Sequence, residues 1–302
     1  MIQSPLNYTG GKYKLLPQIL PCFPTEIHTF VDLFCGGCNV GVNVVADRHI
    51  YNDNMESLIG LYKVMKKTDS GKFIEIVQKT IDEYGLSDVK NYGYEYYKCN
   101  SAEGLSSYNR DKYIRLREDV NSSIKHDSEY YIKLYVLIVF AFNNQIRFNR
   151  KGDYNLPPGK RDFNEKMKKK LQNFLEVIHK QNNEFFMNDF TSFKTFDLGE
   201  NDFVYADPPY LITCATYNEQ GGWNEEKEYQ LLELLDELAG KGVRFALSNV
   251  LEAKGKRNDI LADWVAKRPK YKMIELNYSY DNANYQRRGR SQKTREVLVV
   301  NY

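Results

Sequence analysis

The segment Asp202-Phe-Val-Tyr-Ala-Asp207-Pro208-Pro209-Tyr210 joins an apolar, strand-like run to a carboxylate, two prolines and a phenol. Each proline fixes its own φ and restricts the residue before it, so the chain leaves the strand rigid and extended. The prolines also remove two backbone donors, and the carbonyls around them serve only as acceptors. An aromatic exocyclic amine offers two N–H donors; the Asp207 carboxylate and a carbonyl at Pro208 can take both while the Tyr210 ring stacks on the heterocycle. Such an amine is a weak nucleophile because its lone pair is conjugated into the ring. Two acceptors aimed out of the ring plane favour a tetrahedral nitrogen with a free lone pair, suited to in-line attack on a sulfonium methyl. Positioning and fixed electrostatics would supply most of the rate, without a covalent intermediate or a metal. A Pro-Pro pair alone is an ordinary turn after a strand; the whole tetrad after an apolar strand favours the chemical reading. An amine inside a duplex is reached only when its base is flipped out, at an unstacking cost of roughly a few kcal/mol.

A second candidate is the loop Asp32-Leu33-Phe34-Cys35-Gly36-Gly37-Cys38-Asn39-Val40-Gly41. Glycines at a strand-to-helix turn let the backbone approach a ligand closely, at the carboxyl edge where open α/β sheets bind ligands. The pattern is not G-x-G-x-x-G, so a dinucleotide is not specifically indicated. Asp53 follows about twenty residues after Asp32, where an acidic side chain can accept hydrogen bonds from both ribose hydroxyls. Together they point to a nucleoside-containing cofactor, with a tight turn and a surface Asp as the plain alternative. Cys35 and Cys38 have Cys-x-x-Cys spacing, but there is no second Cys pair and the four histidines are scattered, so a zinc or redox role is not expected.

These residues need a scaffold, and 302 residues with 42% hydrophobic content can bury one large core, or a core with a smaller lobe. The pattern predicts a helix over 12–20, a buried strand at 29–34, a helix over 39–46, a short strand at 49–51 and a helix from Glu56. Strand-like runs follow at 184–187, 203–206, 243–248, 273–276 and 296–300, with helices near 225–238 and 258–266. Strands alternating with helices predict a mostly parallel sheet covered on both faces. Between about 58 and 180 the character changes to long, charged, Tyr-rich helical patterns with a Gly/Pro/Asn-rich loop at 149–160. The expected division is therefore 1–57 with 182–302 as one α/β domain and 58–181 as an inserted helical lobe. The longest apolar run, Tyr135 to Phe142, reads as a buried helix segment too short for a membrane span.

Net charge is only +2, yet Arg147, Arg150, Lys151, Lys160, Arg161, Lys166, Lys168, Lys169 and Lys170 crowd one segment. Arg287, Arg288, Arg290, Lys293 and Arg295 form a second group. Two basic patches on a near-neutral chain point to a polyanion surface, against solvated helix faces as the plain reading.

The chain resembles the Dam-type (D12 class, α-group) N6-adenine-specific DNA methyltransferases in four blocks: Pro5-Leu-Asn-Tyr8-Thr-Gly10-Gly11-Lys12, Phe30-Val-Asp32-Leu-Phe34-Cys-Gly36-Gly37, Asp207-Pro208-Pro209-Tyr210, and Arg295-Glu-Val-Leu-Val-Val-Asn301-Tyr302. The resemblance implies an α/β, Rossmann-like S-adenosylmethionine-dependent methyltransferase fold with an inserted helical DNA-recognition lobe. It implies S-adenosyl-L-methionine as cofactor, S-adenosyl-L-homocysteine as product, and no metal. Asp207, Pro208 and Tyr210 would be catalytic. The cofactor would be held by Tyr8, Gly11, Lys12, Asp32, Phe34, Gly36, Gly37, Asp53, Asp189, Phe190 and Asp207. The run from Asn143 to Gly159 is similar to the family's DNA-reading hairpin, placed at about 143–160. Arg147 suits a guanine edge, and Asn144 or Gln145 an adenine or the gap left by flipping; Lys151, Lys160 and Arg161 would hold phosphates, and Asn7, Asn149 and Pro157 complete the expected DNA contacts. Asn7 stands where GATC-specific relatives often carry a basic residue, and Asn144 and Gln145 replace small and apolar ones, so the recognised sequence is left open.

Asp rather than Ser before Pro-Pro-Tyr favours adenine over cytosine N4, and the hairpin favours duplex DNA over RNA. A DNA-binding scaffold without chemistry is the rival from another class. The expected partner is double-stranded DNA, with no membrane, either in a restriction–modification system with a separately encoded cognate restriction endonuclease or in a Dam-like system. A monomer in the cytoplasm of a bacterium, or encoded by a phage, is expected, since the start lacks a secretion pattern and five cysteines without framework spacing fit reduced thiols.

Overall fold

The computed structural model describes residues 1–102, 104–193, 197–213, 222–277 and 294–302. The chain forms two compact units. Met1–Gly11, Gly36–Asn43 and Met55–Phe185 make the first; Lys12–Cys35, Val44–Asn54 and Phe186–Tyr302 make the second. Two short stretches before residue 57 thus group with the helical segment.

The second unit is built on a sheet of strands β1 (Thr29–Asp32), β2 (Arg48–Asp53), β3 (Asn183–Met187, entering this unit at Phe186), β4 (Phe203–Ala206), β5 (Arg244–Ala253), β6 (Lys256–Arg257), β7 (Lys272–Leu276) and β8 (Arg295–Val300). The order is β3-β2-β1-β4-β5-β8-β7, with β6 paired to β5. β2, β1, β4 and β5 run parallel. β8 is antiparallel to both β5 and β7, so it is a reversed strand between two that share a direction. All four residues of β1 and of β4 are buried, as central strands covered on both faces require.

Alternation sends Val31, Ile50, Val204, Phe245 and Leu247 to one face, where Leu231, Leu235 and Leu238 of helix Glu225–Gly240 and Trp264 of helix Asp259–Ala266 complete a core. Phe30, His49, Phe203 and Tyr205 take the other face with Phe23, their rings 4.7 to 6.4 Å apart. Asp202, just before β4, accepts the backbone N–H of Thr29 at 2.9 Å and of Gly199 at 2.8 Å, fastening the start of β1.

Helices make up most of the first unit: Glu56–Lys67, Ser70–Tyr84, Val89–Tyr96, Ser106–Ser122, Ser128–Phe140 and Glu165–Lys180. Asp69, Asp88, Asp127 and Asn164 each cap a helix start with a side-chain acceptor. The Ser128–Phe140 helix is buried continuously from Leu134 to Phe140, which is why it lacks a polar face. Its Tyr131 ring lies where a side chain at Gly60 would stand; a Cβ there would come within 2.0 Å of the ring. No helix among the described residues is long and apolar enough to cross a membrane.

Two predicted elements differ. The expected helix over 39–46 is only a 3-10 turn, Gly41–Asn43. Val40, Val42, Val44 and Val45 are β-branched around a glycine, and Asn39 and Asn43 spend their amides on the N-terminal backbone: Asn39 accepts from Ser4 N at 2.9 Å, and Asn43 exchanges bonds with Ile2 at 2.7 Å. The helix over 12–20 is a relay of a 3-10 turn, one α turn and a second 3-10 turn, broken where Pro17 and Pro21 enter. Four of the five residues in the second basic group, 287, 288, 290 and 293, lie outside the described residues.

One polar node holds the second core together. Glu228 is fully buried and accepts from Trp223 Nε1 at 2.5 Å, Asn249 Nδ2 at 3.0 Å and Asn258 Nδ2 at 2.8 Å. Glu228→Ala should strand three donors and lower stability by about 2 kcal/mol or more in urea unfolding. Glu228→Gln should not rescue it, because its amide nitrogen would face a donor on either side; a change within about 0.5 kcal/mol for either variant would remove the node from this account.

Candidate active site

The sheet of the second unit brings carboxylates to one edge. Asp32 is paired in register with Tyr51 and with Tyr205. Asp53 ends β2 two residues beyond Tyr51, and Asp207 follows β4 two residues beyond Tyr205. With a period of two, Asp32, Asp53 and Asp207 share the face that carries the aromatic cluster, at the carboxyl ends of parallel strands. Asp32 and Asp53 are both buried.

Around Asp207 the contacts are specific. Lys12, only 5% exposed, puts its Nζ 3.0 Å from Asp207 Oδ1 and 3.5 Å from Oε1 of Glu296, itself 2% exposed. The Tyr210 hydroxyl donates to the same Asp207 Oδ1 at 2.7 Å and lies 3.3 Å from Glu296 Oε1. The Lys12 ammonium also sits 5.0 Å from the centre of the Tyr210 ring. Oδ1 is therefore occupied twice, and no described residue contacts Oδ2. Burial first, then the charges of Asp207 and Glu296, pushes the Tyr210 phenol well above its usual range, so it keeps the proton it donates. Burial and the Asp207 charge do the same to Tyr205, which is hydrogen-bonded to Ser248 Oγ at 2.8 Å.

The loops after β1 and β3 are tied together by Asn52, whose Nδ2 donates to the carbonyls of Leu33 and Asn188 at 3.1 Å each. Its Oδ1 is a buried acceptor with no hydrogen-bond partner. Phe34 and Phe190 pack 5.4 Å apart, and Trp223 closes a triangle at 5.7 and 5.4 Å. Asp189 accepts from Thr191 N and Oγ1 at 2.9 and 2.7 Å, capping the turn that carries Phe190. Burial pushes its carboxyl up, but those bonds and the nearby Lys227 outweigh it and hold it below the usual range.

The remaining loop residues lie in the first unit. The Tyr8 ring packs on Gly36, where a Cβ would approach it to 2.9 Å, and Gly36 has φ +44°. A Cβ at Gly37 would stand 3.1 Å from Tyr8 Cβ and 3.2 Å from Asn39 Nδ2, Gly11 N donates to Tyr8 O at 3.1 Å, and Tyr62 OH donates to Gly36 O at 2.8 Å. Cys35 and Cys38 are buried free thiols, and the described residues contain no cluster of metal-ligating side chains.

The first unit also carries the hairpin. Phe148 bridges Tyr154, Ala141 bridges Pro158, and Asn149 caps the turn through Lys151 N and Asp153 N. Asn121, on the Ser106–Ser122 helix, clamps Tyr154 by accepting its N–H at 2.8 Å and donating to its carbonyl at 3.1 Å. Tyr154 OH reaches Gln145 O at 2.6 Å. Arg147 is exposed, with Nε 2.7 Å from Asn155 Oδ1. Asn143 and Asn144 both have positive φ, and Asn144 Nδ2 donates to the Val139 carbonyl at the end of the preceding helix. Asn7 Nδ2 donates to Asn143 O at 3.0 Å, bringing Asn7 to the hairpin base. Lys151, Pro157, Lys160 and Arg161 are exposed, Lys160 Nζ 3.5 Å from Ala102 O.

Sequence reasoning missed Glu296, Asn52, Trp223 and the Asn121 clamp. Only Glu296 left a signal: an acidic residue directly at the head of the apolar run Val297–Val300.

A family profile described as D12 class N6 adenine-specific DNA methyltransferase matches residues 8–282. The chain is 41% identical over 308 residues to the type II methyltransferase M.FokI of Planomicrobium okeanokoites and 38% over 307 to the modification methylase StsI of Streptococcus sanguinis; each alignment covers 100% of this chain and 43% of the relative. It thus spans less than half the length of those two. It is 27% identical over 302 residues to the type II methyltransferase M1.LlaDCHI of Lactococcus lactis subsp. cremoris, covering 98% of this chain and 94% of that protein.

Lys12→Met should remove the ammonium that Asp207 and Glu296 share, lowering stability by about 2 kcal/mol or more. Urea unfolding checks this, and a change within about 0.5 kcal/mol would mean that Lys12 does not hold the two carboxylates together.

Proposed function

As the chain belongs to the D12 class of N6 adenine-specific DNA methyltransferases, we propose that it methylates the N6 amine of an adenine flipped out of double-stranded DNA at a specific sequence. The observation that carries the reading is Asp207: one oxygen is held by Lys12 and Tyr210, and the other is available to a donor. S-adenosylmethionine supplies an electrophilic methyl on a sulfonium when bound. The site's residues suit it: Asp53 can take ribose hydroxyls, Phe34 and Phe190 an adenine, and the buried Asn52 Oδ1, without a hydrogen-bond partner among the described residues, a further donor.

Asp207 and the Pro208 carbonyl would accept the two N–H groups of the target amine and free its lone pair, while the Tyr210 ring stacks on the base. Arg147, presented on a hairpin with its guanidinium oriented by Asn155, would read a base edge; Lys151, Lys160 and Arg161 would meet phosphates. In this reading 58–181 recognises DNA, while 1–57 and 182–302 bind cofactor and carry the chemistry. The names of the similar proteins favour a modification enzyme of a restriction–modification system, with its endonuclease encoded separately.

Tritiated methyl transfer to unmethylated duplex DNA, with nucleoside analysis and mapping, tests this. Label in N6-methyladenine at a short recurring site is expected; label only in N4-methylcytosine or RNA would replace the reading, and none at all would leave a binding scaffold. Asp207→Ala should abolish turnover with cofactor affinity changed less than about threefold. Substituting Arg147 should cost about 1–3 kcal/mol on the cognate site and relax one position; uniform weakening on every sequence would make it a phosphate contact.

A further inference from the structure

We propose that Glu296 is a positioning residue for methyl transfer: from the reversed strand β8 it fixes the Lys12 ammonium against Asp207 Oδ1, keeping Oδ2 for the target amine. The proposal rests on the methyl-transfer reading above. β8 runs against β5, so its head stands at the edge where the parallel strands end, and Glu296 pairs with Val250 two residues beyond Ser248. Burying a carboxylate beside the apolar run Val297–Val300 is unfavourable unless it is paired, and Glu296 is 2% exposed with Lys12 Nζ at 3.5 Å and Tyr210 OH at 3.3 Å.

Lys12 has three donors and a flexible stem. Its contact with Glu296 Oε1 at 3.5 Å, beside that with Asp207 Oδ1 at 3.0 Å, holds it on the Oδ1 side. Tyr210 has one proton to donate, and its shorter contact is to Asp207 Oδ1 at 2.7 Å. In the transfer the nitrogen lone pair forms the N–C bond while the methyl–sulfur bond breaks with its electrons left on sulfur. The nitrogen is positive until it releases a proton to water, and a fixed negative charge nearby favours that change.

The test compares Glu296→Gln, Glu296→Ala and Glu296→Asp in single-turnover transfer of tritiated methyl to unmethylated duplex DNA, with thermal stability and the reactivity of Lys12 toward an amine-acylating reagent read by mass spectrometry. Glu296→Gln should slow single-turnover transfer about tenfold or more with the DNA KM changed less than about threefold, and Lys12 acylation should rise several-fold. Glu296→Asp should recover part of both losses. Wild-type transfer rate and wild-type Lys12 reactivity in Glu296→Gln would overturn the proposal, as would losses that track thermal stability with Asp no better than Ala. If the wild type methylates no DNA, the methyl-transfer reading falls, and Lys12 reactivity alone decides whether Glu296 holds Lys12 in place.

Discussion

A strand buried on both faces can carry charge only at its ends, and most of the second unit follows from that constraint. β1 and β4 have no exposed residue, so charge is confined to their ends, Asp202 before β4 and Asp32 and Asp207 at the carboxyl edge, and parallel pairing brings those edges into line. A single reversed strand, β8, delivers Glu296 to the same place from the opposite direction. Carboxylates gathered in partial burial need a cation, and Lys12 supplies it from a segment anchored by the buried Leu15, Leu16 and Ile19. The site is thus the charged rim of an apolar sheet.

The same logic governs the opposite core. Glu228 is tolerated without exposure because three amide or indole donors converge on it. In doing so it fixes the Trp223 ring beside Phe34 and Phe190. A polar contact within the helix layer thereby sets the shape of an aromatic surface next to the loop after β1.

Much of this was legible in the sequence. The central strands were, because continuous apolar runs such as Phe203–Ala206 admit few alternatives, and the Asp207 tetrad was, because two prolines restrict the backbone whatever surrounds them. The helix expected over 39–46 was not. Its rejection depends on Asn39 and Asn43 bonding to residues about forty positions away, which no local periodicity contains. Glu296 was hidden for a related reason: its role depends on the direction of β8, and direction is a property of the whole sheet. Asn52 and Trp223 gained their surroundings from loops brought close only by folding. Asp53 and Asp32, by contrast, could be placed because a strand end and a glycine turn are both local signals.

The Asn121 clamp has a consequence for how such a chain can change over generations. It grips the backbone of Tyr154, donating to and accepting from the main chain as a neighbouring strand would, while Tyr113 holds the Leu156 carbonyl at 3.0 Å. The hairpin's attachment is thus indifferent to the outward side chains at 147, 150 and 151. Mutation can redraw that outer face residue by residue while the mounting stays as it is, so divergence in what is recognised need not disturb the machinery that acts on it.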